Sequence, residues 1–214
     1  MAIDLKGVRT EYATHALLRE DFCSDPVKQF QHWLKVAVDA ELNEPNAMCL
    51  ATVNSQGTPS TRIVLLKYFS ENGLTFFTNY KSRKAEDINQ NAHVSVNLLW
   101  LPLHRQVNVV GIAKRISKAE TVKYFVNRPL ASQLGAWSSP QSQVISSRSV
   151  LDAAWHEMKR KYSEGEVPVP NHWGGYRIVP STYEFWQGGA NRLHDRFRYS
   201  RGNSGEWILE RLAP

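Results

Sequence analysis

The chain has 214 residues, 42% hydrophobic and 11% aromatic, with 26 Lys and Arg against 20 Asp and Glu for a net charge of +6. That content supports a real apolar core in one large domain or two small ones, and the positive balance favours an anionic partner such as a phosphorylated small molecule, nucleic acid or a membrane surface. Cys23 and Cys49 lack CxxC or Cys/His spacing, no run of like charges marks a nucleic-acid arm, and no apolar segment has leader or membrane-span length, so a disulfide scaffold, a zinc site and a membrane protein are disfavoured and a cytoplasmic location is expected.

Residues 1–24 are polar and weakly patterned and are expected to form a mobile arm ahead of a single domain over 25–214. Asp25 before Pro26 reads as an N-cap and first helical residue, and Phe30, Trp33, Leu34, Ala37 and Leu42 recur at helical spacing to about Asn43. Strand-like runs follow: AMCLATV, STRIVLLKYF and LTFFTN, broken by SQG and ENG. SRKAEDINQN predicts a short helix, and HVSVNLLWL and RQVNVVGIAKRI predict two further strands. Ser117 and Glu120 have capping-box spacing for a helix that must stop near Pro129. Leu151, Trp155, Met158 and Tyr162 predict a longer helix ending before Gly165.

The C-terminal region reads as two antiparallel strand pairs: GGYRIVP with TYEFWQG, and NRLHDRFRYSR with EWILERL joined at GNSG. As a strand, NRLHDRFRYSR directs Arg192, His194, Arg196 and Arg198 to one face and Leu193, Asp195, Phe197 and Tyr199 to the other. Four like-charged neighbours repel unless water or an anion lies between them, and the alternation alone leaves both open. Six to eight strands with interspersed helices and no βαβ alternation point to an antiparallel barrel with helical decoration.

The chain carries no GxGxxG, GxxxxGK[ST], HExxH or GxSxG signature, and WGGY lacks phosphate-loop spacing, so its glycines read as a turn or a close backbone contact. The seven His are scattered, which disfavours a metal site. Cationic and amide side chains instead recur beside aromatics in RIVLLK, FFTNYKSRK, RQVNV, KYFVNRPLASQLGAW, SPQS and EFWQGGANRLHDR. Each has a bland reading: strand ends for Arg62 and Lys67, helix-start residues for Arg83 and Lys84, and a helix C-terminus and loop for Tyr124, Arg128 and Ser132. As a set they offer groups for two phosphates and a flat heteroaromatic ring.

In this order, and with the terminal ERLAP, the stretches resemble the pyridoxine (pyridoxamine) 5'-phosphate oxidase family over nearly the whole chain from about Arg9. The resemblance implies an α+β, mainly β fold: an antiparallel split β-barrel of the FMN-binding type with helices packed around it, active as a homodimer whose sites draw on both subunits. It implies an oxidase that converts pyridoxamine and pyridoxine 5'-phosphate to pyridoxal 5'-phosphate with O2 as acceptor, releasing H2O2. Flavin contacts carry over to Arg62, Ile63, Val64, Leu65, Lys67, Phe77, Thr78, Arg83, Lys84, Gln106, Gln141, Ser142, Trp186 and Arg196.

Substrate contacts carry over to Lys67, Tyr124, Arg128 and Ser132 around the phosphate, to Arg192 and His194 at the ring as the catalytic pair, and to Arg9 and Tyr12 on a closing arm. Arg198 acquires no role. Phe77 stands where relatives can carry Tyr, so its contact is expected from backbone. Arg62 and Lys67 are separated by an odd number of residues, so a bulge, a strand end or service to different ligands is needed to reconcile them. A non-catalytic FMN- or pyridoxal-phosphate-binding barrel and a nicotinamide-dependent flavin reductase are the rival readings. A nucleic-acid module rests on net charge alone and predicts a colourless protein.

Overall fold

A computed structural model describes residues 4, 6–7, 11–12 and 16–214 of the chain. Within these residues the fold is mainly antiparallel β with five α-helices: α1 (Pro26–Asp39), α2 (Arg83–Gln90), α3 (Lys118–Phe125), α4 (Leu130–Ser138) and α5 (Arg148–Lys161). The strands are β1 (Ala47–Val53), β2 (Pro59–Leu65), β3 (Tyr68–Ser70), β4 (Gly73–Asn79), β5 (His93–Trp100), β6 (Arg105–Arg115), β7 (Trp173–Gln187), β8 (Asp195–Arg201) and β9 (Trp207–Leu212). They hydrogen-bond in the order β2-β1-β5-β6-β7-β4-β3, with β8 on β7 and β9 on β8. Among the described residues no helix is long and apolar enough to cross a membrane.

The chain divides into two compact units, one of residues 1–49, 95–110 and 180–214 and the other of 50–94 and 111–179. In the first, α1 begins where the Asp25 carboxylate accepts the Val27 N–H at 2.9 Å, with Pro26 at its first turn. Its buried Phe30, Trp33 and Ala37 fall at the spacing that keeps one face together. Trp33 meets Phe185 edge-on at 5.1 Å, and Phe22 packs on Phe197 at 4.3 Å. Leu17 is buried and its N–H donates to Asp195, so residues 17–22 of the expected arm pack in this unit.

In the second unit, β4 pairs with the first part of β7, with Phe77 opposite Gly175 and Asn79 opposite Trp173. The capping box at α3 is present: Ser117 Oγ accepts the Glu120 N–H, and the Glu120 carboxylate accepts the Ser117 N–H. Phe125, Leu134, Val167 and Trp173 form a buried cluster against which α4, α5 and Phe77 pack.

Three local expectations change. The run STRIVLLKYF is two strands, because β2 ends at Leu65 and the Lys67 N–H turns to the Thr75 carbonyl at 2.9 Å. The parity conflict between Arg62 and Lys67 is thus resolved by a strand end. GGYRIVP and TYEFWQG are not a hairpin but one strand, β7; its first part pairs with β4 and its second with β8, and Pro180, which has no N–H to offer, falls between the two. The segment after Pro129 is the helix α4 rather than a loop, started by Ser132 N–H to Pro129 carbonyl at 2.8 Å.

Candidate active site

A cavity of about 560 Å³ in the second unit gathers Leu65, Lys67, Phe77, Thr78, Tyr124, Arg128, Ser132 and Gln141, so eight of the sequence-derived candidates share one space. Arg128 enters from the short connection between α3 and α4, where its N–H closes a turn onto the Phe125 carbonyl. Its guanidinium stands 4.5 Å over the Trp173 ring and 5.8 Å from the Phe125 ring, and its buried Nη1 has no hydrogen-bond partner among the described residues. Burial holds Arg128 below the usual guanidinium range and, against the nearby Arg128 charge, pushes the Tyr124 phenol up. The half-buried guanidinium keeps its charge, and its partnerless Nη1 is a donor that an entering anion can satisfy.

At the start of α2 the buried Lys84 Nζ donates to Thr78 Oγ1 at 3.1 Å, Ser82 Oγ at 3.2 Å and Gln141 Oε1 at 3.0 Å. All three partners are neutral, and no carboxylate pairs with this ammonium among the described residues. Burial lowers its pKa to about 8, with the Arg62 charge adding to the effect. The Ser82 hydroxyl therefore does not cap α2; it donates to the Asn79 carbonyl at 2.7 Å.

Arg62 is bound differently. Its Nη1 donates to Thr52 Oγ1 at 2.6 Å, its Nη2 to Ser60 Oγ at 2.7 Å, and it lies 3.7 Å from the buried Asp87 carboxylate, which also accepts from Thr52 and Ser60. Ile63 is exposed and Val64 buried on the same strand, as period-two alternation requires. Arg83 and Ser142 are exposed, Ser142 with a left-handed φ of 71°.

In the first unit, the Tyr12 ring meets His104 at 4.6 Å, His194 at 5.7 Å and Trp186 at 6.0 Å, and Trp186 lies 4.8 Å from His194. Gln106 lines a cavity of about 450 Å³ with Tyr12, His104 and Trp186. The Gly189 N–H donates to His194 Nδ1 at 3.1 Å, which leaves the proton of a neutral ring on Nε2. Gly188 and Gly189 allow this closeness: a Cβ on the first would fall 2.7 Å from the Tyr12 ring, and on the second 2.3 Å from the Leu193 carbonyl. His104 is a member that no sequence motif announced.

The basic stripe is not one strand face. Arg192 lies in a short turn with φ 62°, His194 precedes β8, and only Arg196 and Arg198 alternate along the strand with buried Phe197 and Tyr199. Repulsion between those two is relieved by carboxylates: Arg196 pairs with Glu184 at 2.8 Å and Arg198 with Glu210 at 3.0 Å. The register explains it, since Arg198 stands opposite both Glu184 and Glu210. Arg9 lies outside the described residues.

These features define a mainly β, split-barrel protein with a cationic, aromatic-walled cavity suited to phosphorylated ligands. Residues 34–162 match the family model described as pyridoxamine 5'-phosphate oxidase, and residues 173–214 match that of the pyridoxine 5'-phosphate oxidase C-terminal dimerisation region. Proteins named pyridoxine/pyridoxamine 5'-phosphate oxidase are similar along the full chain: that of Crocosphaera subtropica is 53% identical over 99% of this chain and 100% of its own, and that of Hahella chejuensis 52% over 98% and 99%. The chain belongs to the pyridoxamine 5'-phosphate oxidase family. Among solved structures, PhzG from Burkholderia lata in complex with tetrahydrophenazine-1-carboxylic acid superposes with a TM-score of 0.87 at 29% identity, covering 93% of this chain and 98% of that one. A pyridoxamine 5'-phosphate oxidase-related, FMN binding protein from Nostoc punctiforme shares the fold with a TM-score of 0.71 at 18% identity, covering 89% and 98%.

Proposed function

We propose that this protein is an FMN-dependent oxidase that converts pyridoxamine 5'-phosphate and pyridoxine 5'-phosphate to pyridoxal 5'-phosphate. The amine, O2 and water give the aldehyde, ammonia and H2O2; the alcohol and O2 give the aldehyde and H2O2. The observation that carries the reading is the cavity where Lys67, Tyr124, Arg128 and Ser132 converge, in a chain whose full-length relatives bear that name.

The residues fit the cofactor. Lys84 is a buried ammonium satisfied only by neutral oxygens, an arrangement that a phosphate dianion stabilises and a neutral ligand does not. Thr78, Gln141, Arg83 and Ser142 would share that phosphate, with Lys67 beside it. Ile63, Val64 and Leu65 would meet the flavin along β2, and Arg62, paired with Asp87, would hold that strand in place beside it. Phe77 would contribute backbone, and Gln106, Trp186 and Arg196 would complete the set from the partner copy of a homodimer. When bound, FMN supplies the two-electron chemistry, accepting a hydride equivalent from C4' and passing the electrons to O2.

Lys67 and Arg128 bind the substrate phosphate, with the Tyr124 and Ser132 hydroxyls donating neutral hydrogen bonds. The phosphate is remote from the reacting carbon, so its binding energy serves to hold C4' in place. Arg192 and His194 would face the substrate ring, His194 offering its Nε2–H as a hydrogen-bond donor to the C4' substituent, with Tyr12 packed on its ring. Arg9 would join Tyr12 in the closing arm.

The test is to mix purified protein with pyridoxamine 5'-phosphate without oxygen and follow the visible flavin absorbance. Bleaching that reverses in air is the expected result. A yellow protein that stays yellow would move the function to a non-catalytic flavin- or pyridoxal-phosphate-binding role, and a colourless one that takes up no FMN would sink the cofactor assignment.

A further inference from the structure

The motif WGG is a part of the sequence to which the proposed chemistry gives no role, and its Trp173 lines the cavity beside Arg128. Trp173 is 8% exposed and its ring is nearly parallel to two others: Phe77, 5.4 Å away at 13°, and Tyr124, 6.2 Å away at 5°. Phe77 and Tyr124 stack at 3.8 Å and 17°. Gly175 leaves room for this stack, and Gly174 for the neighbouring Tyr80. A Cβ on Gly175 would fall 2.5 Å from Ile116 Cδ1 and 3.0 Å from Phe77 Cε1, and one on Gly174 would fall 2.2 Å from the Tyr80 hydroxyl. Gly175 is also the register partner of Phe77 across β4 and β7, so the sheet itself sets the ring spacing.

We infer that Trp173 is a positioning residue for phosphate recognition: it orients Arg128 by its ring face and, through Phe77, fixes Tyr124. This rests on the reading of the cavity as the substrate-phosphate site. A carboxylate could orient a guanidinium equally well but would cancel its charge, whereas an aromatic face holds it by the ring quadrupole and leaves the net charge intact. Arg128 has no ion pair among the described residues, lies 4.5 Å over Trp173, and keeps a buried Nη1 without a partner. The stack thus gives a cation that is rigid and uncompensated before the ligand arrives, which lowers the ordering cost of binding.

The experiment compares flavin-loaded wild type, Trp173→Leu and Trp173→Phe for equilibrium binding of 4-deoxypyridoxine 5'-phosphate, which has no oxidisable C4' group, and of unphosphorylated 4-deoxypyridoxine. Trp173→Leu should weaken the phosphorylated analogue about tenfold and leave the unphosphorylated one unchanged, and Trp173→Phe should recover most of the loss. With substrate, KM should rise by the same factor at constant kcat. In the Trp173→Leu background, Arg128→Lys should add little, because the geometry it depends on is already lost.

Wild-type affinity in a folded, flavin-loaded Trp173→Leu protein overturns the inference, as does an equal loss for both analogues, which marks a merely structural role. If the Leu variant does not fold, Trp173→His, with a smaller ring, takes its place: partial loss confined to the phosphorylated analogue supports the inference, and unchanged affinity overturns it. A wild type without oxidase activity whose analogue affinity still falls in Trp173→Leu supports the inference while removing the proposed function. A wild type that binds neither analogue removes both.

Discussion

Lys84 Nζ and Gln141 Oε1, 57 residues apart in the chain, lie 3.0 Å from each other in a site where no carboxylate among the described residues pairs with the ammonium. The consequence is a pH dependence of defined sign. The folded-state pKa is about 8, against 10.5 for an ordinary lysine, so between those values the unfolded chain holds the extra proton. Raising the pH through that window stabilises the flavin-free protein, and below about 8 the burial penalty is present in full. Urea unfolding of flavin-free protein across this range should show the rise, and Lys84→Met should abolish it. FMN affinity should move the other way, falling above about pH 8 as the cation is lost. An FMN affinity that stays flat to pH 10 would mean that Lys84 does not meet the phosphate.

Arg128→Ala removes a buried charge-assisted donor worth roughly 1.5 to 3 kcal/mol. Substrate affinity should fall about ten- to a hundredfold with flavin content intact. Calorimetry and the absorbance ratio of the purified protein read the two quantities separately, and loss of FMN at unchanged substrate affinity would contradict the assignment.

Asp87 is the buried counter-ion of Arg62 and accepts from Thr52 and Ser60 as well. Asp87→Ala leaves that guanidinium uncompensated and should destabilise the protein by about 3 kcal/mol. A denaturation midpoint within error of wild type would show that water or another group satisfies Arg62.

His194→Ala should slow anaerobic flavin reduction by about a hundredfold in protein that still purifies yellow, and Arg192→Ala should slow it too. Stopped-flow bleaching at saturating substrate measures this directly. Unchanged rates would confine His194 to packing against Tyr12 and Trp186.

Local signals in the sequence act over a few residues, and those were legible. Asp25 with Pro26 started α1, Ser117 with Glu120 started α3, and the strand-like run AMCLATV ahead of the turn residues SQG marked β1, because each depends on groups within a few residues. The resemblance implied a set of phosphate-binding side chains, and eight of the residues to which it pointed line one cavity. What the alternation of NRLHDRFRYSR suggested was only half right, since left-handed φ values at Asn191 and Arg192 turn the chain before β8 begins. Which anion answers Arg196 is set by strand register with Glu184, a partner 12 residues away that no local pattern marks.

Short-range spacing thus indicated most of the element types and the cationic candidates, and the resemblance of the ordered motifs pointed to the family. Tertiary structure decided which charges are already neutralised and which are not: Arg62 by Asp87 and Arg196 by Glu184, against Lys84 and Arg128, which among the described residues meet neutral oxygens and aromatic faces. The reason is physical. A side chain's charge is written in the sequence, but its desolvation and its partners depend on residues brought close by sheet register and helix packing, and those set how strongly it attracts a phosphate.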